Sequence, residues 1–194
     1  MHHKLSRRDA LRAMGAVTAA GAFDWPAVAR AAHEAHAAAQ SAAAGAPPGY
    51  TLLGAADAAD LEALTSQIIP SDDTPGAREA GATYFIDRAL GSFFAHWRPG
   101  FMRGLADFQA AARAAHPEAA SFAALPSDRQ IEFLRLVDRT PFFEQARLLT
   151  CCGMFMDPSY GGNRGGLGWK LLGFEDQHTF EPPFGFYDRG YAGQ

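Results

Sequence analysis

The chain has only two cysteines, Cys151 and Cys152, and they are neighbours. A bridge between adjacent residues is strained, so no disulfide framework holds this fold. The pair reads as two buried thiols on a helix face. Basic residues are not in excess either. The formal net charge is −4 at pH 7, which excludes the basic surface that nucleic acid requires. No segment alternates apolar and polar residues with period two, so no strand is expected. The patterns that hold cofactors are also missing. There is no Cys-x-x-Cys-His for haem, no Gly-x-Gly-x-x-Gly following a strand, and no phosphate loop ending in Lys-Ser/Thr. No nucleophile stands beside a base. His96, between Phe94 and Trp97, has no Ser or Cys and acid pattern near it. His33 and His36 lack further ligands, and Asp72 and Asp73 read as a turn rather than a metal site.

What is present begins with an address. Lys4-Leu5-Ser6-Arg7-Arg8-Asp9-Ala10-Leu11 carries a twin-arginine pair. A moderately apolar run from Leu11 to Phe23 follows, too short and too weak for a comfortable membrane span. Ala27-Val28-Ala29 then supplies a small-x-small cleavage site. This order is that of a secretory signal over residues 1–29, and Arg7-Arg8 points to the Tat translocase and a periplasmic destination. Residues 30–50 are rich in Ala and Pro and read as a linker. Residues 51–194 then form one domain.

The body is a succession of helix signals, so the expected fold class is all-α, a small helical bundle. Asp57 is placed as the cap of a helix through Leu61, Leu64, Ile68 and Ile69, stopped by Pro70. Thr74-Pro75 reads as an N-cap and first helical residue, ahead of a helix turning Ala82, Phe85, Ile86 and Leu90 inward. Pro99 opens a helix carrying Phe101, Leu105, Phe108 and Ala112 on one face, closed by His116-Pro117. Ser127-Asp128-Arg129-Gln130 reads as a capping box before Ile131, Leu134 and Val137. Thr140-Pro141 repeats the cap-plus-proline device before Phe142, Phe143, Ala146, Leu149 and Met154, with Gly153 and Pro158 loosening and closing that helix.

After the helices comes Tyr160-Gly161-Gly162-Asn163-Arg164-Gly165-Gly166-Leu167-Gly168-Trp169-Lys170-Leu171-Leu172-Gly173-Phe174, with six glycines around one Arg, one Asn and one Trp. So many glycines mark a backbone shaped for close approach, read here as a long loop. It could form an anion-binding nest, but no βαβ unit surrounds it. It could lock the last helix to the tail, with Trp169 plugging the core and Arg164 bonding backbone carbonyls. It could also be a recognition surface. Tyr, Trp and Arg dominate interface energetics, and the irregular tail beyond (Phe180, Pro182, Pro183, Phe184, Phe186, Tyr187, Tyr191) is aromatic. The contact residues on that reading are Tyr160, Gly161, Gly162, Asn163, Arg164, Gly165, Gly166, Trp169, Lys170 and Phe174. The rival is a stand-alone periplasmic enzyme or ligand-binding module that uses the glycine loop.

Three stretches give a resemblance. They are Ser66-Gln67-Ile68-Ile69-Pro70-Ser71-Asp72-Asp73-Thr74-Pro75-Gly76-Ala77, then Gly81 through Phe85-Ile86-Asp87, and above all Asp157-Pro158-Ser159-Tyr160-Gly161-Gly162-Asn163-Arg164-Gly165-Gly166 with Gly168-Trp169-Lys170. With these the chain resembles the gluconate 2-dehydrogenase subunit 3 family from about Asp57 to Phe174. Where many members have an acid after the Arg, this chain has Gly165. The resemblance implies a small subunit with no cofactor, catalytic residue or metal of its own. It implies an FAD-dependent large partner of the glucose-methanol-choline type that oxidises a sugar, sugar acid or glycoside. A cytochrome c subunit bearing haem often completes such complexes, which implies association with the membrane through the complex. A Tat signal on a chain without cofactor motifs suits a subunit that supports the folding and export of a flavoprotein.

Overall fold

The computed structural model describes residues 49–177 and 179. The signal with Arg7 and Arg8, most of the linker, and the aromatic tail from Phe180 lie outside the described residues. Among the described residues there is no strand, and the fold is all-α. The helices are α1 (Ala55–Ile68), α2 (Ala77–Ala80), α3 (Ala82–Gly91), α4 (Arg98–Ala115), α5 (Ser127–Val137), α6 (Pro141–Phe155) and α7 (Leu167–Leu172). Short 3-10 turns stand at Phe122–Ala124, Pro158–Tyr160 and Arg164–Gly166. None of these helices is long and apolar enough to cross a membrane.

The predicted apolar stripes form the core. Phe85, Phe101, Leu61, Leu64, Ile86, Leu90 and Leu149 are fully buried. Phe108 stands edge-on to Phe122 and Phe133, with ring centroids at 4.9 and 5.4 Å, and tilted against Phe142 at 5.5 Å. This ring cluster ties α4, α5 and α6 together through apolar burial with favourable edge geometry. The main pairing is α3 on α6. Gly153 makes that pairing close, because a Cβ there would sit 2.8 Å from Ala82 Cα. The predicted loosening of α6 at Gly153 is therefore a packing contact instead.

Several helix starts differ from expectation. The N-cap of α1 is Gly54, and Asp57 lies in the first turn. There its charge suits the helix dipole, and its Oδ1 accepts from Gln109 Nε2. Thr74-Pro75 does not cap. Thr74 donates through N and Oγ1 to Asp72 Oδ1 in a side-chain turn, and the helix begins after Gly76. These bonds hold the Asp72 carboxyl below its ordinary range. The Gly76 N–H is met by Glu79 Oε2 at 2.9 Å. Gly81, left-handed at φ 74°, then breaks what looked like one helix into α2 and α3. At α4 the helix begins one residue ahead of Pro99. The capping box at Ser127 does not form. Gln130 is drawn inward instead, and its amide donates to the Phe122 and Leu125 carbonyls. Ile131 faces outward while Phe133 takes the core position. Thr140-Pro141 does act as predicted, with Thr140 Oγ1 accepting from Phe143 N at 3.2 Å. Cys151 and Cys152 are half-buried rather than buried; burial, with Cys151 adding to it, pushes the Cys152 thiol up.

One buried acid anchors the start of the domain. Asp87, fully buried on α3, accepts from Thr51 N, Thr51 Oγ1, Leu52 N and Leu53 N at 2.7–2.8 Å. A buried carboxylate is tolerable only with such a donor set. Replacing Asp87 by Ala orphans these donors, and a buried donor left unmet costs about 1–3 kcal/mol each. Asp87→Ala should therefore lower stability by roughly 3 kcal/mol or more, read as a lower urea midpoint, whereas Asp73→Ala on the exposed turn should leave it nearly unchanged.

Candidate functional site: the glycine-rich loop and its outer face

An α-helix leaves its last four carbonyls without partners inside the helix. Helix α6 ends at Phe155, and the glycine-rich segment folds back to meet those groups. The Gly153 carbonyl accepts from Asn163 N at 2.6 Å, and the Phe155 carbonyl accepts from Trp169 Nε1 at 2.8 Å. Just past the helix, the Met156 carbonyl accepts from Asn163 Nδ2 at 2.9 Å. Asn163 Oδ1 in turn accepts from Gly168 N at 2.8 Å, and its own carbonyl accepts from Gly166 N. Asn163 is wholly buried and left-handed, with φ 44°. Among side-chain-bearing residues Asn is one of the few that tolerate this region.

Two glycines allow the approach. A Cβ on Gly162 would lie 2.3 Å from the Gly153 carbonyl oxygen, and one on Gly168 would lie 2.0 Å from that of Met154. Helix α7 starts there, so part of the expected loop is helical.

The candidate contact residues separate into two sets. Gly161, Gly162 and Asn163 are buried, and Tyr160 is half-buried with its ring edge-on to Phe93 at 5.6 Å. These hold the segment in place. Arg164, Gly165, Lys170 and Phe174 are exposed, and Gly166 and Trp169 are half-buried. Trp169 does not plug the core. It lies over the end of α6, with Phe174 edge-on at 5.2 Å. Arg164 makes no hydrogen bond to a backbone carbonyl among the described residues. Its guanidinium lies over the Tyr84 ring, 5.1 Å from the centroid. Sequence reasoning missed Leu171 and Leu172, which are 43% and 64% exposed beside Phe174. Their signal was two adjacent leucines in a stretch too short to bury both. It also missed Tyr84 and Arg88, from a helix 75 or more positions away.

Among the described residues no group of three or more His, Cys, Asp and Glu is placed to hold a metal ion. Two surface cavities of about 610 and 300 Å³ lie elsewhere, the larger lined by Arg103, Asp107, Phe108, Val137 and Phe142 and the smaller by Gln67, Ile131 and Leu134. Neither includes a residue of the loop.

The sequence model of a family described as Gluconate 2-dehydrogenase subunit 3 matches residues 55–176. No curated protein and no solved structure matches the chain. The matched range takes in every helix described here and the whole of the clamped loop.

The clamp can be tested by substitution. Asn163→Ala leaves the Met156 carbonyl and the Gly168 N–H unmet in the interior, and should cost about 2–4 kcal/mol on unmet-group energetics. Gly168→Ala forces the backbone of α7 off α6. Both variants should show a lowered melting temperature and a changed Trp169 emission, while Gly165→Ala, in open space, should disturb far less.

Proposed function

The chain belongs to the gluconate 2-dehydrogenase subunit 3 family, and on that premise we propose that it is the non-catalytic small subunit of a periplasmic, FAD-dependent dehydrogenase complex acting on a sugar, sugar acid or glycoside. The family makes it a subunit of a dehydrogenase complex with a catalytic partner. The FAD of that complex belongs to a large subunit of the glucose-methanol-choline type, and a cytochrome c subunit accepts the electrons. The small subunit supports folding of the flavoprotein and carries the Tat address for both.

One observation carries the docking part of this reading. A loop clamped from within by Asn163 turns Arg164, Lys170, Leu171, Leu172 and Phe174 outward. Apolar side chains left exposed beside a cation, on a backbone that cannot collapse over them, are what protein interfaces use. Rigidity matters because an ordered loop loses little entropy on binding. The chemistry is placed on the partner because the candidate residues include no nucleophile–base pair, and the loop offers hydrogen bonds already spent on α6.

Co-expression tests the proposal. The flavoprotein encoded beside this chain should reach the periplasm active only when the chain is present. Normal folding, export and turnover without it would remove the accessory role. The address is tested separately: changing Arg7 and Arg8 together to Lys should hold both proteins in the cytoplasm, and continued export would show that the pair is not the signal.

A further inference from the structure

Tyr84 draws two cations to one ring. The Arg88 guanidinium carbon lies 4.9 Å from the ring centroid and that of Arg164 lies 5.1 Å from it. Cation–π attraction favours each contact alone, but two guanidiniums at one ring repel each other. The fold nevertheless makes room for both. A Cβ on Gly81 would meet Arg164 Nε at 2.5 Å, and one on Gly161 would meet the Tyr84 ring at 3.2 Å. Arg164 also follows directly on Asn163, so the clamp of α6 sets where its side chain starts.

Nothing among the described residues neutralises this pair. The ion pairs found there are Arg78–Glu62, Arg129–Glu132 and His116–Glu118. The acids that share Tyr50's surroundings with Arg164 are Glu62 and Asp87. Glu62 is held by Arg78 at 3.1 Å, and Asp87 is taken by the backbone of residues 51–53 and the Thr51 hydroxyl. The Tyr84 hydroxyl and Arg88 Nε are buried and have no hydrogen-bond partner. Both groups can donate, so the missing group is an acceptor. Unmet buried donors are uncommon enough that each requires a cause.

We infer that Arg164 and Arg88, seated on Tyr84, form a receptor for a carboxylate side chain of the catalytic partner. A carboxylate is the acceptor that fits a planar guanidinium with two parallel hydrogen bonds, and its charge relieves the repulsion between the two arginines. The patch is cationic on a chain whose formal net charge is −4, so it selects an acidic residue against the chain's own general field. Leu171, Leu172 and Phe174 supply the apolar surface that shields the pair from water. This inference rests on the small-subunit reading and adds to it Arg88, Tyr84 and the chemistry of the contact.

The experiment uses the full chain and the flavoprotein encoded beside it, with affinity measured at low and at physiological salt. Arg164→Gln and Arg88→Gln should each weaken binding about tenfold or more, the scale of a lost interface charge contact, and should flatten the salt dependence. Arg164→Glu should abolish binding, and an Asp or Glu to Arg change on the partner should restore it. Arg164 is exposed, so its variants keep the fold, which circular dichroism checks. Independently of any variant, complex formation should protect both arginines from phenylglyoxal, read by peptide mass. Tight binding of the wild type with unchanged affinity and salt dependence in the variants, or equal labelling in the free and bound chain, overturns the carboxylate receptor and leaves the subunit reading standing. A wild-type chain that binds no such flavoprotein overturns both.

Discussion

The carbonyls at the end of α6 are the constraint on which the rest depends. A helix terminus inside a domain cannot leave its acceptors dry without a cost of a few kcal/mol in total. Most helices solve this with a local turn. Here the solution comes from a later segment: Asn163 and Trp169 supply the donors, and Gly162 and Gly168 let the backbone near enough to use them. The glycines therefore serve helix termination. The outward presentation of Arg164 and α7 is a consequence of that same geometry.

Two buried polar side chains, Asp87 and Asn163, do comparable work at opposite ends of the described chain. Asp87 gathers the N–H groups of residues 51–53 onto α3, and Asn163 gathers the loop onto α6. Since α3 and α6 are the main packed pair, both ends of the domain are referred to one rigid centre. Tyr84 and Arg88 lie on α3 with Asp87, so the cation pair bridges that centre and the loop. A surface built this way is held in register by the core rather than by its own flexibility.

Periodicity was a sound guide to the helices and their buried faces. Phe101, Leu105, Phe108 and Ala112 sit where an i, i+4, i+7, i+11 stripe puts them. The Thr140-Pro141 device was legible because cap and proline act within one turn. Caps failed where a tertiary partner outbid the local one. Asp72 takes Thr74, Glu79 takes the Gly76 N–H, and the Phe122 and Leu125 carbonyls take Gln130 away from the Ser127 box. In the loop, composition marked the right stretch but could not divide it. Asn163 and Arg164 are adjacent and equally polar, yet one is wholly inside and the other exposed.

By itself the sequence determined the helical class, most of the core and the family, because apolar spacing and a long specific motif are local properties of the chain. It also marked residues 160–174 as special, since only glycine permits such backbone. Tertiary structure alone decided what that segment binds inside the fold and what it leaves outside. The donors it offers, the carbonyls it meets and the ring on which Arg164 rests come from residues far apart in the chain, and only packing brings α3, α6 and the loop within hydrogen-bonding distance.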